Sequence, residues 1–381
     1  MQSDKIYRTA MKIIQLSYSL AAGGAERFIV DLCNTLSEQS NDEIILAITN
    51  DDKNTKFTHY IKDISPNVKF FSLGCKSGYT IKSFWRIFQL IRKEKPDIVH
   101  AHCSVLLIYL PSLFFHKIKF YHTLHSLAHV CIINKKLKWL YRFFYKSRIQ
   151  AVTISTSCYQ SFVDLYHLSN VIKINNGRIP IQQTDDKENV KKEIEAFKKK
   201  KETPVFIHVA RCNPLKNQQR LFTIFEKLQQ DHFDFLLLCI GRGYEKNYSP
   251  KYIDNKQIKI LGEKKNVGDY LAVSDYFILS SNYEGLPLSL LEAMSMGVIP
   301  ISTPAGGVKD VIIDGENGYL CDEISDDSLY KKVKQILTHK ENINRNSIIK
   351  NYHDNYSMDI CANKYHLLYR NQTSTHTTFD K

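Results

Sequence analysis

Short apolar runs alternate with helix-length amphipathic segments along this chain, and the alternation starts twice. The first series opens with MKIIQLS (residues 11–17), the glycine pair Gly23 and Gly24, and then AERFIVDLCNTL, in which Phe28, Ile29, Leu32, Cys33 and Leu36 recur at helical spacing. Further runs follow at 43–49 (EIILAIT), 68–73, 98–101 (IVHA), 119–124 and 151–155 (AVTIS), and a helix-like segment at 81–95 stops at Pro96. The second series runs through 205–210 (VFIHVA), a helix at 218–228, 235–240 (FLLLCI), 258–261, 276–280 (YFILS) and 298–302 (VIPIS). Near-continuous apolar strands with helices between them require a mostly parallel sheet covered on both faces.

At 381 residues the chain is too long for one ordinary core and suits two domains, so the expected fold class is α/β with two Rossmann-like halves. Residues 184–201 (TDDKENVKKEIEAFKKKK) are almost wholly charged and have little to bury, which places a linker there. The expected boundaries are an N-terminal domain at 1–180, a charged linker at 181–203, a C-terminal domain at 204–355, and a C-terminal helix with a fraying polar tail at 356–381.

Hydrophobic residues at 43% and charged residues at 24% are the proportions of a globular protein. The formal charge of +13 provides a positive field for anionic lipid, nucleic acid or a phosphorylated substrate, or else reflects lysines on solvated faces. No zinc-finger spacing or RRM signature is present, which argues against a nucleic-acid partner. The nine cysteines are scattered without a C-x-x-C pair, as expected of buried thiols in a reducing cytoplasm. No signal peptide is evident, and the apolar stretch 105–115, interrupted by Pro111, is half the length of a membrane span and reads as a buried helix.

The densest chemistry lies in NYEGLPLSLLEAMSM (282–296), where Glu284 and Glu292 stand seven residues apart. Gly285 and Pro287 put Glu284 in a turn after the strand YFILS, with Pro287 near the first turn of the next helix, where a missing N–H costs nothing. A carboxylate at the carboxyl end of a parallel strand can accept hydrogen bonds from vicinal hydroxyls. Two glutamates at this spacing are, taken alone, more often solvated surface residues. The second element is VARCNPLKN (209–217), with Arg211 and Lys216 between a strand and a helix, a placement that an ordinary surface loop can also have.

With its context EGLPLSLLEAM and the continuation GVIPISTPAGGVKDVIIDGENGYL (297–320), the segment resembles the E-x7-E signature of retaining glycosyltransferases of family four, the "group one" family. The resemblance covers most of residues 204–322 and, more thinly, the N-terminal half. It implies the GT-B fold, two Rossmann-like domains facing each other across a cleft. It gives Glu284 the donor sugar's hydroxyls and Glu292 the donor's ribose, with Gly285 and Leu286 at the donor. It gives Arg211 and Lys216 the leaving diphosphate. No D-x-D triplet occurs, so the expected enzyme is metal-independent and needs no cofactor beyond its nucleotide-sugar substrate.

The same resemblance places the G-G-A-E stretch with Gly23 and Gly24 opposite the donor phosphates, Gly241 of the G-R-G turn near the nucleotide, and His125 of T-L-H behind the reacting sugar. Each glycine pair is also compatible with a plain turn. His100 and His102 are left as structural or acceptor-side residues, since no Cys/His spacing marks a metal site. Segment 135–148 (KKLKWLYRFFYKSR) interleaves aromatic and basic residues, with Leu137, Leu140, Phe143 and Phe144 on one side of a helix. It reads equally as a helix in a membrane interface and as a Rossmann helix whose aromatic face is core.

The implied function is transfer of a hexosyl group from a nucleotide-diphosphate donor to a hydroxyl of a glycan or lipid-linked acceptor, with retention. The setting would be surface polysaccharide synthesis, in the cytoplasm or on the inner face of the membrane. The alternatives are a GT-B sugar-nucleotide epimerase and a non-catalytic scaffold subunit that binds the donor.

Overall fold

The structure is a computed structural model that describes residues 10–50, 58–75, 80–102, 106–132, 135–245, 248–339 and 343–370. The chain divides into two compact units, one of residues 1–177 with 358–381 and one of residues 178–357.

The first unit contains β1 (Lys12–Ser17), α1 (Gly24–Gln39), β2 (Glu43–Ile48), β3 (Lys69–Ser72), α2 (Ile81–Glu94), β4 (Ile98–His102) and α3 (Leu106–Phe114). It continues with β5 (Lys119–Leu124), a short α4 (Ala128–Cys131), α5 (Lys138–Ser147), β6 (Ile149–Thr153), α6 (Thr156–Tyr166) and β7 (Val171–Lys173). Its seven strands run parallel in the order β3-β2-β1-β4-β5-β6-β7. The central strands β1, β2, β4 and β5 are buried on both faces, as their unbroken apolar runs require, while the edge strand β3 is partly exposed. Helix α2 starts on Thr80, whose side chain accepts from Ser83 N at 3.2 Å, and ends on Lys95 in the left-handed region just before Pro96.

The second unit contains α7 (Lys187–Phe197), β8 (Val205–Val209), α8 (Gln218–Gln230), β9 (Leu236–Ile240), α9 (Ser249–Tyr252) and β10 (Ile258–Gly262). After these come α10 (Val267–Ala272), β11 (Tyr276–Leu279), α11 (Leu288–Ser295), β12 (Ile299–Ser302), β13 (Tyr319–Leu320), α12 (Asp326–Thr338) and α13 (Arg345–Asn355). Its six strands are also parallel, in the order β10-β9-β8-β11-β12-β13.

Two boundaries differ from the sequence expectation. The charged segment 181–203 is built into the second unit: Val190 and Ile194 are buried on α7, and Thr184 is fastened to the buried Asp269 through its N–H (2.7 Å) and hydroxyl (2.6 Å). Two apolar residues one helical turn apart are enough to seat an otherwise charged helix. The C-terminal helix α14 (Met358–Tyr369) belongs to the first unit and packs beside α1. The tail from residue 371 lies outside the described residues.

Within the apolar segment 105–115, Leu106–Phe114 form a helix as expected, but it is only half buried: Leu107, Ile108 and Tyr109 face the core while Leu110, Leu113 and Phe114 are exposed. On α5 the inward face is Tyr141, Phe144 and Tyr145, with Leu137 and Leu140 at its edge and Phe143 outside. The eight cysteines among the described residues are all unbridged. No helix among the described residues is long and apolar enough to cross a membrane.

Candidate active site

Strands β8 and β11 are parallel neighbours, so the loops that leave their carboxyl ends lie side by side. The loop after β8 carries Arg211 and Lys216, and the loop after β11 carries Glu284. The Lys216 ammonium lies 2.7 Å from Oε1 and 2.6 Å from Oε2 of Glu284, a carboxylate that is only 5% exposed. The Ser281 hydroxyl donates to Oε1 at 2.5 Å, so both carboxylate oxygens are engaged.

The two loops are fastened to each other around this pair. The Ser280 hydroxyl bonds the carbonyls of Lys216 and Asn217 at 3.0 Å each, and Asn282 N donates to Leu215 O at 2.8 Å. Asn217 takes a left-handed conformation and caps α8, and Arg220 one turn in donates to Ser280 O at 2.9 Å and to Asn282 Oδ1 at 3.1 Å. Beneath them His208 donates from Nδ1 to Ile278 O (2.7 Å) and accepts from Gln218 at Nε2 (3.3 Å). Burial, with a smaller contribution from Lys216, pushes its pKa down to about 4, so the ring is neutral and adds no charge under the ammonium.

Gly306 holds the other side of Glu284. At φ +57° a Cβ there would stand 1.9 Å from the Glu284 carbonyl oxygen, and Gly307 N donates to that oxygen at 3.1 Å. Gly241 is constrained in the same way: at φ +145° its Cβ would meet Ala210 O at 2.0 Å, so the turn after β9 presses on the loop that bears Arg211. The Arg211 side chain is exposed at that loop's start.

Pro287 precedes α11, as the sequence implied, and Leu286 is buried next to the partly exposed Gly285. Glu292 in the middle of α11 does not join Lys216; it takes a 2.7 Å bond from Nε of Arg178, and both side chains are mostly buried. Arg178 was not foreseen. Its partner is 114 residues away, and no local pattern marks it.

In the first unit Gly23 is the extended N-cap of α1 and Gly24 its first residue. The Glu26 carboxylate folds back over Gly23, so the anion that a helix N-terminus favours is here the chain's own. His125 follows β5 directly, edge-on to Phe28 of α1 at 5.3 Å between ring centres.

A buried polar chain leads to it: the Gln15 amide donates to Tyr369 Oη (3.0 Å) and accepts from His102 Nε2 (2.8 Å), and His102 Nδ1 lies 3.1 Å from His125 Nε2. With that amide orientation His102 Nδ1 is an acceptor and His125 Nε2 the donor, which leaves His125 Nδ1 as a bare acceptor, buried and without a hydrogen-bond partner. His100 completes the network through Tyr369 Oη (2.6 Å) and Thr123 (2.8 Å).

Burial, reinforced by the neighbouring imidazoles, holds His100 and His102 well below the usual histidine range, and burial takes His125 down to about 4. His100 and His102 are therefore buried members of a neutral network. Among the described residues no three His, Cys, Asp or Glu side chains are grouped to hold a metal ion.

Residues 22–178 match the family described as Glycosyltransferase Family 4, and residues 189–354 match Glycosyl transferases group 1. The chain belongs to the family 4, group 1 glycosyltransferases. Its two parallel-sheet α/β units are those of the GT-B fold.

This glycosyltransferase is 26% identical over 303 residues to N-acetyl-alpha-D-glucosaminyl L-malate synthase of Bacillus anthracis, covering 74% of the chain and 77% of that protein. It is 25% identical over 314 residues to UDP-Gal:alpha-D-GlcNAc-diphosphoundecaprenol alpha-1,3-galactosyltransferase of Escherichia coli, covering 74% and 78%. Among solved structures, Anabaena HepE in complex with UDP-glucose superposes with a TM-score of 0.75 at 15% identity, covering 95% of the chain and all of HepE.

Proposed function

We propose that this glycosyltransferase moves a hexosyl group from a nucleoside-diphosphate sugar to a hydroxyl of a glycan or lipid-linked acceptor, with retention and without a metal, in the cytoplasm. The observation that carries the reading is the Lys216–Glu284 pair at adjacent strand ends. As the glycosidic bond to the diphosphate breaks, negative charge grows on the departing phosphate, and a fixed cation there lowers the barrier. Lys216, with Arg211 at the start of the same loop, supplies that charge. Glu284 is released from full pairing as the ammonium turns to phosphate, and it then accepts hydrogen bonds from the sugar's hydroxyls.

Glu292, oriented by Arg178, holds the ribose, and the Gly241, Gly285 and Leu286 backbone lines the nucleotide. On the first unit His125 offers Nδ1 as an acceptor to a sugar hydroxyl, and the G-G-A-E stretch with Gly23 and Gly24 lies opposite the donor phosphates. The names of the relatives above support a sugar nucleotide as donor and a glycan or lipid-linked acceptor.

A panel of UDP-, GDP- and ADP-sugars tests this. One donor should raise the melting temperature, since a ligand that binds only the native state stabilises it by mass action. Nucleoside diphosphate should then appear only when acceptor is added. Turnover that survived simultaneous neutralisation of Arg211 and Lys216 would overturn the reading, and donor binding that never led to release would favour the scaffold alternative.

A further inference from the structure

The charge of the chain is concentrated in one stretch. Residues 80–150 contain thirteen Lys and Arg against two acids, Glu94 and Asp97, so a net +11 of the chain's +13 lies there. Both acids are already engaged: Glu94 is buried and paired with Lys69 (2.9 Å) and Lys12 (3.6 Å), and Asp97 accepts from Lys12 N at 2.8 Å. Helices α3 and α5 contain no acidic residue.

Three helices from this stretch form one layer on the sheet face away from α1. Phe88 of α2 meets Phe114 of α3 at 5.8 Å between ring centres, and Tyr109 of α3 stacks on Phe144 of α5 at 4.4 Å. Arg148, just past α5, donates to Ser112 O of α3 at 2.9 Å. Their inward residues share one apolar core with β1, β4 and β5.

The outward side of this layer is apolar and aromatic where solvent-facing helices are normally polar. Trp85 is 59% exposed, Phe114 65% and Trp139 68%, with Leu110, Leu113 and Phe143 exposed beside them. Between them stand exposed cations, among them Lys82, Arg92, Lys117, Arg142 and Lys146. Exposed aromatic rings interleaved with cations on a helical layer match a surface that offers negative charge at its rim and hydrocarbon beneath it.

We infer that the α2–α3–α5 face of the first unit docks on a lipid bilayer bearing anionic headgroups, with Trp85, Phe114 and Trp139 entering the interface. The surface comprises more than segment 135–148: α2 and α3 supply most of its apolar side chains, while Tyr141, Phe144 and Tyr145 of α5 are turned into the core. The docking needs neither donor nor acceptor, so it stands apart from the proposed reaction.

The chain contains two tryptophans, Trp85 and Trp139, and both lie on this face, so its intrinsic fluorescence reports on the face directly. The full chain is titrated with phosphatidylcholine vesicles and with vesicles containing about 40% phosphatidylglycerol, and followed by co-sedimentation and tryptophan emission. Binding and a blue shift are expected with the anionic vesicles alone, weakening as salt rises.

Each cation near such a surface strengthens binding about fivefold, so replacing Lys82, Lys117, Lys138 and Lys146 by Gln should weaken it by two orders of magnitude or more. Trp85→Ala with Trp139→Ala should weaken it at least tenfold in co-sedimentation. An unchanged melting temperature shows that the variants fold. Equal binding to neutral vesicles, binding to heparin or nucleic acid in place of vesicles, or burial of both tryptophans in a self-associated form without lipid would each overturn the inference.

Discussion

Replacing Lys216 by methionine removes the ammonium that neutralises Glu284 and keeps most of the aliphatic stem. The carboxylate is left with the Ser281 hydroxyl at 2.5 Å and little access to water. Breaking a fully buried ion pair from one side costs about 3–5 kcal/mol. The Lys216 side chain is 23% exposed, so water already reaches one end of the pair, and a cost of about 2 kcal/mol is expected.

Glu284→Gln preserves the shape and removes the charge, and it strands the ammonium at a cost of about 1–2 kcal/mol. The double variant is neutral at both positions, so its loss should fall short of the sum of the single losses by about 1 kcal/mol or more. Urea unfolding of the four proteins measures this coupling.

Turnover should behave differently, because each group has its own task in the proposed transfer. Each single variant should lose about a hundredfold or more in diphosphate release, as removal of one preorganised charge-stabilising group does in other enzymes. The double variant should recover part of its stability and none of its rate. Coupling below about 0.3 kcal/mol, or turnover of Lys216→Met within threefold of the unmodified enzyme, would refute the reasoning.

Gly306→Ala forces a Cβ to within 1.9 Å of the Glu284 carbonyl oxygen at a positive φ, so the Glu284 loop must shift; about 2 kcal/mol of stability and most of the activity should be lost, read by melting and by turnover. Arg178→Met leaves the mostly buried Glu292 without its 2.7 Å partner and should raise KM for the donor at least tenfold, with a smaller change in kcat.

The buried His122, held by Tyr145 Oη at 2.8 Å, has its pKa pushed down to about 3 by burial and by the nearby His125. The unfolded chain takes up that proton near pH 6.5 while the folded chain does not. Stability is therefore full above about pH 6.5 and falls by up to about 1.4 kcal/mol per unit as the pH drops toward the folded value. Melting curves from pH 7 to 5 should show this fall, and His122→Asn should reduce it by one proton's share, leaving the part carried by the buried His100, His102, His125 and His208.

Much of this architecture is written in short-range pattern. Runs such as KIIQLS and EIILAI can satisfy both faces only as central parallel strands, and both are found there. The strand rhythm puts Lys216 and Glu284 at strand ends, but it is the resemblance of the motifs around them that singles them out, and the two strands are neighbours.

What escaped depends on distance or helical phase. Arg178 reaches Glu292 from an irregular segment, and Gln15, Tyr365 and Tyr369 support the histidines from opposite ends of the chain. On α5, where aromatic residues occur all round the helix, composition cannot say which of them turn inward. The stacking of Tyr109 on Phe144 decides it, and that contact comes from another helix. The linker was misplaced because charge hid two anchoring aliphatics, Val190 and Ile194.

The return of α14 to the first unit bears on how the protein is born. Domains emerging from a ribosome ordinarily mature in the order in which they are made. Here the tyrosines that close over Gln15 and His100 are translated after the whole of the second unit, so the first unit waits, with a polar strand face uncovered, until the final turns leave the exit tunnel. A stop codon near residue 357 would spare every residue of the second unit and still cripple the first.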